Sequence, residues 1–456
     1  FWPRPHPEGR GVQSQTWPSP DGHIRPLSAL LPRIDAAPSP WPMGAVRVTG
    51  RLAISGEELA TVALRADQCV GHLRAALADA TDDPGINGLT LRVISEDGSL
   101  LSDSVTLVEA GLRDGSSASV VRSHCLLATA SNDGMGRLWR RGEADPLRLA
   151  GHFGQVYAVV FAPDGQRLVT SSEDRTLRIW DVCDGRCCRV LAGHGGEVYS
   201  AVFAPSGSSV VSASEDATVR LWEVSTGECL WTYTGHGGEV YLATFSGDGR
   251  CVLTASEDRT AQLVAVDSGE HKRTFEGHAA AVYRAEFSPT CEDVVTASLD
   301  GTAAIFASAT GSRRCLLRGH AGEVKFAAFS PDGLRVATTS EDATARIWDP
   351  FSGECLFALA HEDTVYTVAF SPDSRLLVTA SEDHTAAIWS ACNGQRLQLL
   401  EGHADSVAWA EFSPDGILVV TASFDETAVV WSAGLGEAVD CLEDHAGPVV
   451  HVAFSP

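Results

Sequence analysis

Histidine and aspartate recur along this sequence at regular spacing, and together they could do chemistry. A carboxylate beside a histidine orients the imidazole and stabilises its charge, as in general acid–base and nucleophilic catalysis. Eight histidines lie 42 residues apart, once 41: His152, His194, His236, His278, His320, His361, His403 and His445. Eight aspartates recur alongside them: Asp133, Asp174, Asp216, Asp258, Asp300, Asp342, Asp383 and Asp425. One active site needs one such pair, so eight evenly spaced copies favour a structural role.

The residues around each histidine predict short β-strands. In the repeat of His194, residues 198–203 show the alternating side-chain pattern of a β-strand and are followed by the turn Pro205-Ser206-Gly207. A second predicted strand ends in Ser-Glu-Asp, and a third predicted strand carries Trp222. This order predicts a four-stranded antiparallel unit with short hairpins. The period, the Gly-His pairs and Trp180-Asp181 resemble WD-repeat β-propellers. The resemblance implies an all-β propeller over 124–456, with its sheets packed radially.

The two ends of the repeat region carry complementary halves of one unit. Asp133 has no repeat histidine and no first strand before it, whereas His445 is followed by a predicted strand at Val449–Phe454. We therefore predict that the C-terminal strand joins the three N-terminal strands in one sheet, which closes an eight-bladed ring. A seven-bladed ring, the commoner form in this family, is the alternative.

The resemblance assigns the repeated residues to an internal framework. In WD-repeat proteins a His, an Asp, a strand Ser or Thr and a Trp form a hydrogen-bonded network within one blade. Here the third repeat would use His194, Asp216, Ser212 and Trp222, and the closing blade would use His445, Asp133, Thr129 and Trp139. The tryptophans at this position are Trp139, Trp180, Trp222, Trp348, Trp389 and Trp431. The fourth and fifth repeats carry Val264 and Phe306 instead, so we expect those blades to depend more on packing.

The resemblance also implies a binding surface, because members of this family usually bind partners through one rim of the ring. Three positions per repeat reach this rim: the residues before and after the first-strand Val, and the residue before the turn Asp. The first set is Gln155, Glu197, Glu239, Ala281, Glu323, Thr364, Ser406 and Pro448. The second is Tyr157, Tyr199, Tyr241, Tyr283, Lys325, Tyr366, Ala408 and Val450. The third is Asn132, Glu173, Glu215, Glu257, Leu299, Glu341, Glu382 and Phe424.

The predicted rim is therefore a ring of tyrosine and glutamate, interrupted by an apolar sector that includes Leu299 and Phe424. Such a surface suits a basic peptide, because carboxylates pair with Arg or Lys and tyrosine rings add cation–π contacts. The alternative is that duplication of the repeat copied these residues without a binding role.

The sequence before the repeats predicts a second, smaller domain. Residues 1–42 are rich in proline, and we expect this segment to be disordered or not to belong to the native protein. In the second case Met43 is a possible first residue. Over 45–122 we predict strands at Val46–Ile54, Leu59–Leu64, Leu89–Ile94 and Ser117–Val121, with a helical stretch around Val70–Leu77. This order resembles the ubiquitin-like α+β fold, which implies an adaptor module or a small stabilising domain.

Composition excludes several classes of partner. The 456 residues carry a formal net charge of −25, and the only lysines are Lys272 and Lys325. This balance argues against binding to nucleic acid or to an anionic membrane, and no apolar run reaches the length of a membrane helix.

The twelve cysteines lack C-x-x-C spacing, which argues against a metal or redox site. We expect those at repeated strand positions to fill apolar space: Cys188, Cys229, Cys315, Cys355 and Cys441.

The motifs together predict a non-catalytic scaffold without a cofactor. The sequence has no G-x-S-x-G elbow, no paired-His metal motif and no Gly-rich phosphate loop. We expect a monomer within a larger protein complex, located in the cytoplasm or alternatively in the nucleus. Two alternatives are a ribosome-assembly factor similar to Notchless, which also pairs a ubiquitin-like domain with an eight-bladed propeller, and a substrate receptor of a ubiquitin ligase.

Overall fold

The computed structural model describes residues 45–52, 58–65, 91–94, 116–122, 126–140 and 145–456. Contacts divide the chain into two units with a boundary between Ser123 and His124. The segment 1–42 and the predicted helical stretch at Val70–Leu77 lie outside the described residues.

The N-terminal unit contains one four-stranded sheet. Its strands are β1 (Ala45–Leu52), β2 (Glu58–Arg65), β3 (Leu91–Ile94) and β4 (Ser116–Arg122). They lie in the order β2-β1-β4-β3, in which β1 and β4 are parallel and the outer pairs are antiparallel. The strand bounds fall within two residues of those predicted from the sequence.

The C-terminal unit contains eight four-stranded antiparallel sheets, numbered here as blades 1 to 8 in chain order. Blade 1 has β5 (Leu126–Ser131), β6 (Gly136–Arg140), β7 (Leu147–Leu149) and β36 (Val449–Phe454). Blade 2 has β8 (Val156–Phe161), β9 (Arg167–Ser172), β10 (Thr176–Asp181) and β11 (Cys187–Ala192). Blade 3 has β12 (Val198–Phe203), β13 (Ser209–Ser214), β14 (Val219–Glu223) and β15 (Cys229–Tyr233). Blade 4 has β16 (Val240–Phe245), β17 (Cys251–Ser256), β18 (Ala261–Ala265) and β19 (His271–Phe275).

The second half of the ring repeats this plan. Blade 5 has β20 (Val282–Phe287), β21 (Asp293–Ser298), β22 (Thr302–Ala307) and β23 (Arg313–Arg318). Blade 6 has β24 (Val324–Phe329), β25 (Val336–Ser340), β26 (Thr344–Trp348) and β27 (Cys355–Ala360). Blade 7 has β28 (Val365–Phe370), β29 (Leu376–Ser381), β30 (Ala386–Ser390) and β31 (Arg396–Leu400). Blade 8 has β32 (Val407–Phe412), β33 (Leu418–Ser423), β34 (Ala428–Ser432) and β35 (Ala438–Leu442).

The core lies between neighbouring blades. The innermost strands β8, β12, β16, β20, β24, β28, β32 and β36 contact one another around the ring. Second strands such as β13 are buried along their whole length, whereas the outermost strand β15 is mostly exposed. Between blades 2 and 3, Leu177 and Ile179 pack with Val198 and Trp222 in one apolar cluster. Each sheet therefore buries both faces against its neighbours, as radial packing requires.

The ring closes through both ends of the repeat region, as predicted from the complementary halves. β36 pairs antiparallel with β5, with Val452 opposite Thr129. The Arg137 guanidinium contacts Asp444 at 2.6 Å and Asp133 at 2.7 Å, which joins the two ends by ion pairs. The fold is thus an eight-bladed propeller, and the seven-bladed alternative is wrong.

The prediction that the repeated cysteines fill apolar space is wrong for Cys229, Cys355 and Cys441, which are exposed. Cys188 and Cys315 are partly exposed and pack against apolar clusters between blades, as predicted. These positions lie on the outermost strands, which have no blade outside them.

Candidate functional site

The eight repeated His–Asp pairs form an internal framework in every blade. In blade 3 the His194 Nδ1 lies 3.0 Å from Asp216 Oδ2, and its Nε2 lies 2.8 Å from the Ser212 hydroxyl. The Trp222 Nε1 donates to the same hydroxyl at 2.9 Å. Across the ring the His Nδ1 to Asp Oδ2 distances are 2.7 to 3.1 Å. The network implied by the family resemblance is therefore present.

The aspartate also shapes the turn that carries it. Asp216 Oδ1 accepts from the backbone N–H and the hydroxyl of Thr218, at 3.0 and 2.6 Å. These bonds stabilise the intervening Ala217, whose φ of 62° lies in the left-handed region. Burial alone would raise the pKa of Asp216, but the hydrogen bonds from His194 and Thr218 lower it well below its ordinary value.

The histidines are placed for structure rather than for catalysis. All eight side chains are 0 to 1% exposed, so a substrate has no access to their ring nitrogens. Burial lowers the pKa of His152, His278, His320 and His445, which favours the neutral imidazole. Both ring nitrogens are engaged, so the pairs orient strands and turns within each blade.

Blades 4 and 5 replace the missing tryptophan in different ways. In blade 5, Phe306 is buried and packs against Phe275 with ring centroids 5.5 Å apart. In blade 4, Val264 is buried, and the Tyr233 hydroxyl donates to Gln262 Oε1. The Tyr233 ring lies edge-on to His236 at 6.2 Å. These blades were predicted to depend more on packing than on the full network. The polar contact between Tyr233 of blade 3 and Gln262 of blade 4 is a feature that sequence reasoning missed.

A bulge places the rim tyrosines. In each innermost strand the pairing register shifts across the second residue, for example between Val198 and Ser200 around Tyr199. A bulge bends the strand locally and re-aims the extra side chain. The structure brings four tyrosines of the second set together in blades 2 to 5. Their ring centroids are 5.9 Å apart for Tyr157–Tyr199, 6.1 Å for Tyr199–Tyr241 and 5.1 Å for Tyr241–Tyr283. We call these four residues the tyrosine arc.

Rim glutamates bond to the tyrosines of the ring. The Tyr157 hydroxyl donates to Glu197 Oε2 at 2.7 Å, and the Tyr199 hydroxyl donates to Glu239 Oε2 at 3.1 Å. Each bond runs from one blade to the next. Burial and the carboxylates of Glu239 and Glu257 raise the pKa of Tyr241 to about 12. Tyr366 in blade 7 does not belong to the tyrosine arc, and its hydroxyl donates to Glu382 at 2.9 Å.

Blade 6 fills its rim position with a cation. The Lys325 ammonium lies 2.7 Å from Glu323 Oε2 and 2.8 Å from Glu341 Oε1. It also lies 5.7 Å from the centroid of the Tyr283 ring at the end of the tyrosine arc. A pair of rim carboxylates with a neighbouring tyrosine can therefore hold an ammonium group.

Not all predicted rim residues are equally accessible. Glu215, Glu257 and Glu341 are exposed, whereas Glu173, Glu197, Glu239, Glu323, Glu382, Leu299 and Phe424 are partly exposed. Tyr199 and Tyr366 are only 9% and 7% exposed, so these rings present little apolar area. Ala408 and Val450 of the second set are buried.

Sequence reasoning did not bring together a group of ionisable side chains on the innermost strands. In β8, β20 and β32 the first and fourth residues are buried, whereas the third and fifth residues are partly exposed. Glu286 and Glu411 occupy fifth positions, and burial raises the pKa of each to about 7. Burial lowers the pKa of His451, a third-position residue, to about 3. The signal in the sequence was a charged residue where most repeats carry a small or apolar one.

Within the described residues, no group of three or more His, Cys, Asp or Glu side chains could hold a metal ion. In the same part of the chain, no helix has the length and apolar character needed to cross a membrane.

Comparison with known proteins agrees with this fold. The family model described as WD domain, G-beta repeat matches residues 146–181, 185–223, 227–263, 269–306, 311–349, 353–390 and 394–432. Seven matches accompany eight blades because blade 1 is assembled from both ends of the repeat region. The computationally designed Ika8 protein superposes with a TM-score of 0.60 and 28% identity, covering 66% of this chain and 90% of that one.

Curated relatives match over short stretches. Nuclear distribution protein nudF 1 of Talaromyces marneffei is 38% identical over 65 residues, which is 14% of each chain. Human WD repeat-containing protein 86 is 47% identical over 51 residues, 11% of this chain and 14% of that protein. The matches thus span about a seventh of the length of these relatives.

Proposed function

Because this chain belongs to the WD-repeat family, we propose that it is a non-catalytic scaffold whose propeller rim binds a basic segment of a partner protein. Proteins with WD-repeat propellers generally act as protein-interaction scaffolds and bind proteins or peptides. The finer proposal concerns which part of this ring takes the partner and what chemistry the partner carries.

The observation that carries the proposal is the tyrosine arc with the glutamates of blades 3 and 4. Glu215 and Glu257 are exposed beside the arc, and Glu197 and Glu239 are partly exposed there. Tyr157, Tyr241 and Tyr283 are partly exposed, and aromatic rings beside carboxylates favour Arg and Lys side chains through cation–π contacts and charge-assisted hydrogen bonds. Lys325 in blade 6 supports this, because the chain's own ammonium group is held between two rim glutamates near Tyr283.

Peptide-array binding tests the proposal. We expect the wild-type chain to prefer sequences rich in Arg and Lys, and the variant Tyr199→Ala with Glu215→Lys to lose that preference. Glu228→Lys is the matched control. Glu228 lies in the turn between β14 and β15 of the same blade, at the opposite end of the strands from Glu215, and is exposed. Absence of any basic preference in the wild type, or equal loss in the control, contradicts the proposal.

We further propose that residues 45–122 form a ubiquitin-like adaptor that engages a second protein. The order β2-β1-β4-β3 with a parallel central pair supports this, because it is the strand order of that fold. Binding of an isolated partner to the full chain, but not to a variant lacking 45–122, tests it. The complex could act in ribosome assembly, as Notchless does, or in a ubiquitin ligase. Co-sedimentation with pre-ribosomal particles separates these two alternatives.

A further inference from the structure

The outer part of the boundary between blades 3 and 4 departs from the repeat at three positions. Near the end of the outermost strand blade 3 carries Tyr233, whereas the other seven blades carry Leu or Phe there. On the third strand of blade 4, Gln262 and Val264 stand where blades 1, 2, 3 and 6 carry Arg and Trp. The three residues meet at one boundary, because the Tyr233 hydroxyl donates to Gln262 and Val264 packs in the same apolar cluster as Tyr233.

The boundary between blades 2 and 3 shows what the usual residues do at these positions. Leu191 and Trp222 pack in one apolar cluster, and the Arg220 guanidinium carbon lies 5.8 Å from the centroid of the Trp222 ring. A Cβ added to Gly193 would lie 2.8 Å from Arg220 Nη1 and 3.3 Å from Trp222 Cη2. The arginine and tryptophan side chains therefore fill the space beside this glycine.

Between blades 3 and 4 the corresponding space is an open cleft. Its volume is about 470 Å³, within the range of roughly 300 to 1,000 Å³ that small-molecule sites span. The equivalent glycine is Gly235, where an added Cβ would overlap the Tyr233 hydroxyl. The backbone of two glycines lines the cleft together with six polar side chains: Thr232, Tyr233, Thr234, Gln262, His271 and Thr274.

The lining of the cleft consists of hydroxyl, amide and imidazole groups, and none of the lining residues is Asp, Glu, Lys or Arg. Two cations follow His271 in the sequence, but their side chains bond elsewhere. Lys272 Nζ donates to Cys251 Sγ at 3.4 Å, and Arg273 Nε donates to the Ala309 carbonyl at 3.0 Å. A ligand in the cleft therefore meets donors and acceptors rather than a fixed charge.

Hydrogen bonds within the chain fix the floor and one wall of the cleft. Tyr233 and Gln262 form the floor and are 8% and 6% exposed. Gln262 Nε2 donates to the Thr260 hydroxyl at 3.2 Å, and on the wall His271 Nε2 lies 2.8 Å from Thr274 Oγ1. A hydroxyl is both donor and acceptor, so Tyr233, which donates to Gln262, can still accept from a ligand.

We propose that this cleft binds a neutral saccharide unit, either free or carried on a glycan. Saccharide hydroxyls both donate and accept, which matches a lining of hydroxyl, amide and imidazole groups. A charged ligand is disfavoured, because desolvating a charge requires a partner of opposite sign that the lining lacks. The cleft lies at the outermost strands and differs in chemistry from the acidic rim, so this site does not depend on the function proposed for the rim.

Titration of the full chain with glucose, galactose and N-acetylglucosamine, followed by saturation-transfer NMR, tests the site. We expect saturable binding of at least one of these sugars. Glucuronate, which differs from glucose by one carboxylate, should bind at least fivefold more weakly than glucose. A serine peptide that carries one N-acetylglucosamine distinguishes a sugar held on a glycan from a free one. The proposal is overturned if none of the three sugars binds saturably, or if glucuronate binds more tightly than glucose.

Two variants assign the binding to the cleft. Gln262→Leu should weaken sugar binding at least fivefold. Gln398→Leu is the matched control, because Gln398 also links two blades, donating to the Gly434 carbonyl at 2.9 Å, but lies between blades 7 and 8. The control should bind as the wild type does.

The triple variant Tyr233→Leu, Gln262→Arg and Val264→Trp copies the residues found between blades 2 and 3 and should fill the cleft. We expect it to abolish sugar binding while thermal unfolding stays cooperative, so it keeps the test decisive if Gln262→Leu fails to fold. Unchanged binding in the triple variant, or equal loss in Gln398→Leu, would show that the sugar binds elsewhere on the chain and would overturn the assignment.

Discussion

Replacing Glu411 with glutamine should change the pH dependence of stability of the propeller. Glu411 joins blade 8 to the closing strand β36, because its carboxyl group accepts from the Phe454 N–H at 2.8 Å. Its side chain is only partly exposed, and burial raises its pKa from 4.5 to about 7. The folded chain therefore binds the proton more tightly than the unfolded chain. The stability that this group contributes is fully present below pH 4.5 and is lost as the pH rises through 7.

The magnitude follows from the shift in pKa. A rise from 4.5 to about 7 corresponds at most to about 3.4 kcal/mol of pH-dependent free energy of unfolding. Because the Glu411 side chain is partly exposed and solvent screens part of its charge, we expect about 2 kcal/mol. Glutamine stays neutral and can still accept from Phe454. It gives up one of the two acceptor bonds, at a cost of about 1 kcal/mol at every pH.

Urea unfolding followed by circular dichroism measures this effect. The difference in unfolding free energy between Glu411→Gln and wild type should shift by about 2 kcal/mol in favour of the variant between pH 4.5 and pH 8.5. Glu437→Gln makes the same chemical change at an exposed turn of blade 8, and we expect no such shift there. The reasoning is refuted if the difference for Glu411→Gln is the same at both pH values, or if it moves in the opposite direction.

Three further predictions concern single side chains. Trp222→Phe should lower the unfolding free energy by about 2 to 3 kcal/mol, because it removes the donor to Ser212 and leaves a cavity; thermal unfolding measures it. Tyr233→Phe should cost about 1 kcal/mol through the lost bond to Gln262, and an unchanged melting temperature would contradict the role given to this hydroxyl. Lys325→Met should raise the affinity for an Arg- and Lys-rich peptide about threefold in fluorescence anisotropy, since it uncovers two rim carboxylates; weaker binding would argue against a cation-binding rim.

Much of the fold was readable from the chain because each blade repeats one local pattern. The alternation of apolar residues, the Pro-x-Gly turns and the Ser-Glu-Asp turn predict strands and hairpins without reference to distant residues. Ring closure was also predictable, since Asp133 lacked a histidine that His445 could supply. Cys229, Cys355 and Cys441 were misread because alternation shows which residues share a face of a strand, whereas the exposure of those residues depends on whether another blade covers that face.

The candidate sites were readable only in part. The positions of Tyr157 to Tyr283 predicted a rim. The bonds from the Tyr157 and Tyr199 hydroxyls to glutamates of the following blade depend on the angle between neighbouring sheets, which the sequence does not show. Tyr233 went unnoticed because its partner Gln262 lies on a different strand and is not repeated in other blades.

The sequence by itself determined the repeat, the strand pattern and the residues that satisfy one another within a blade, because those contacts recur at short, fixed separations. Only the tertiary structure decided what meets across the ring. Arg284, Trp409 and His451 belong to blades 5, 8 and 1, and they come together because eight innermost strands converge on one axis. The burial of these side chains and the lowered pKa values of Arg284 and His451 follow from that convergence, which no local pattern encodes.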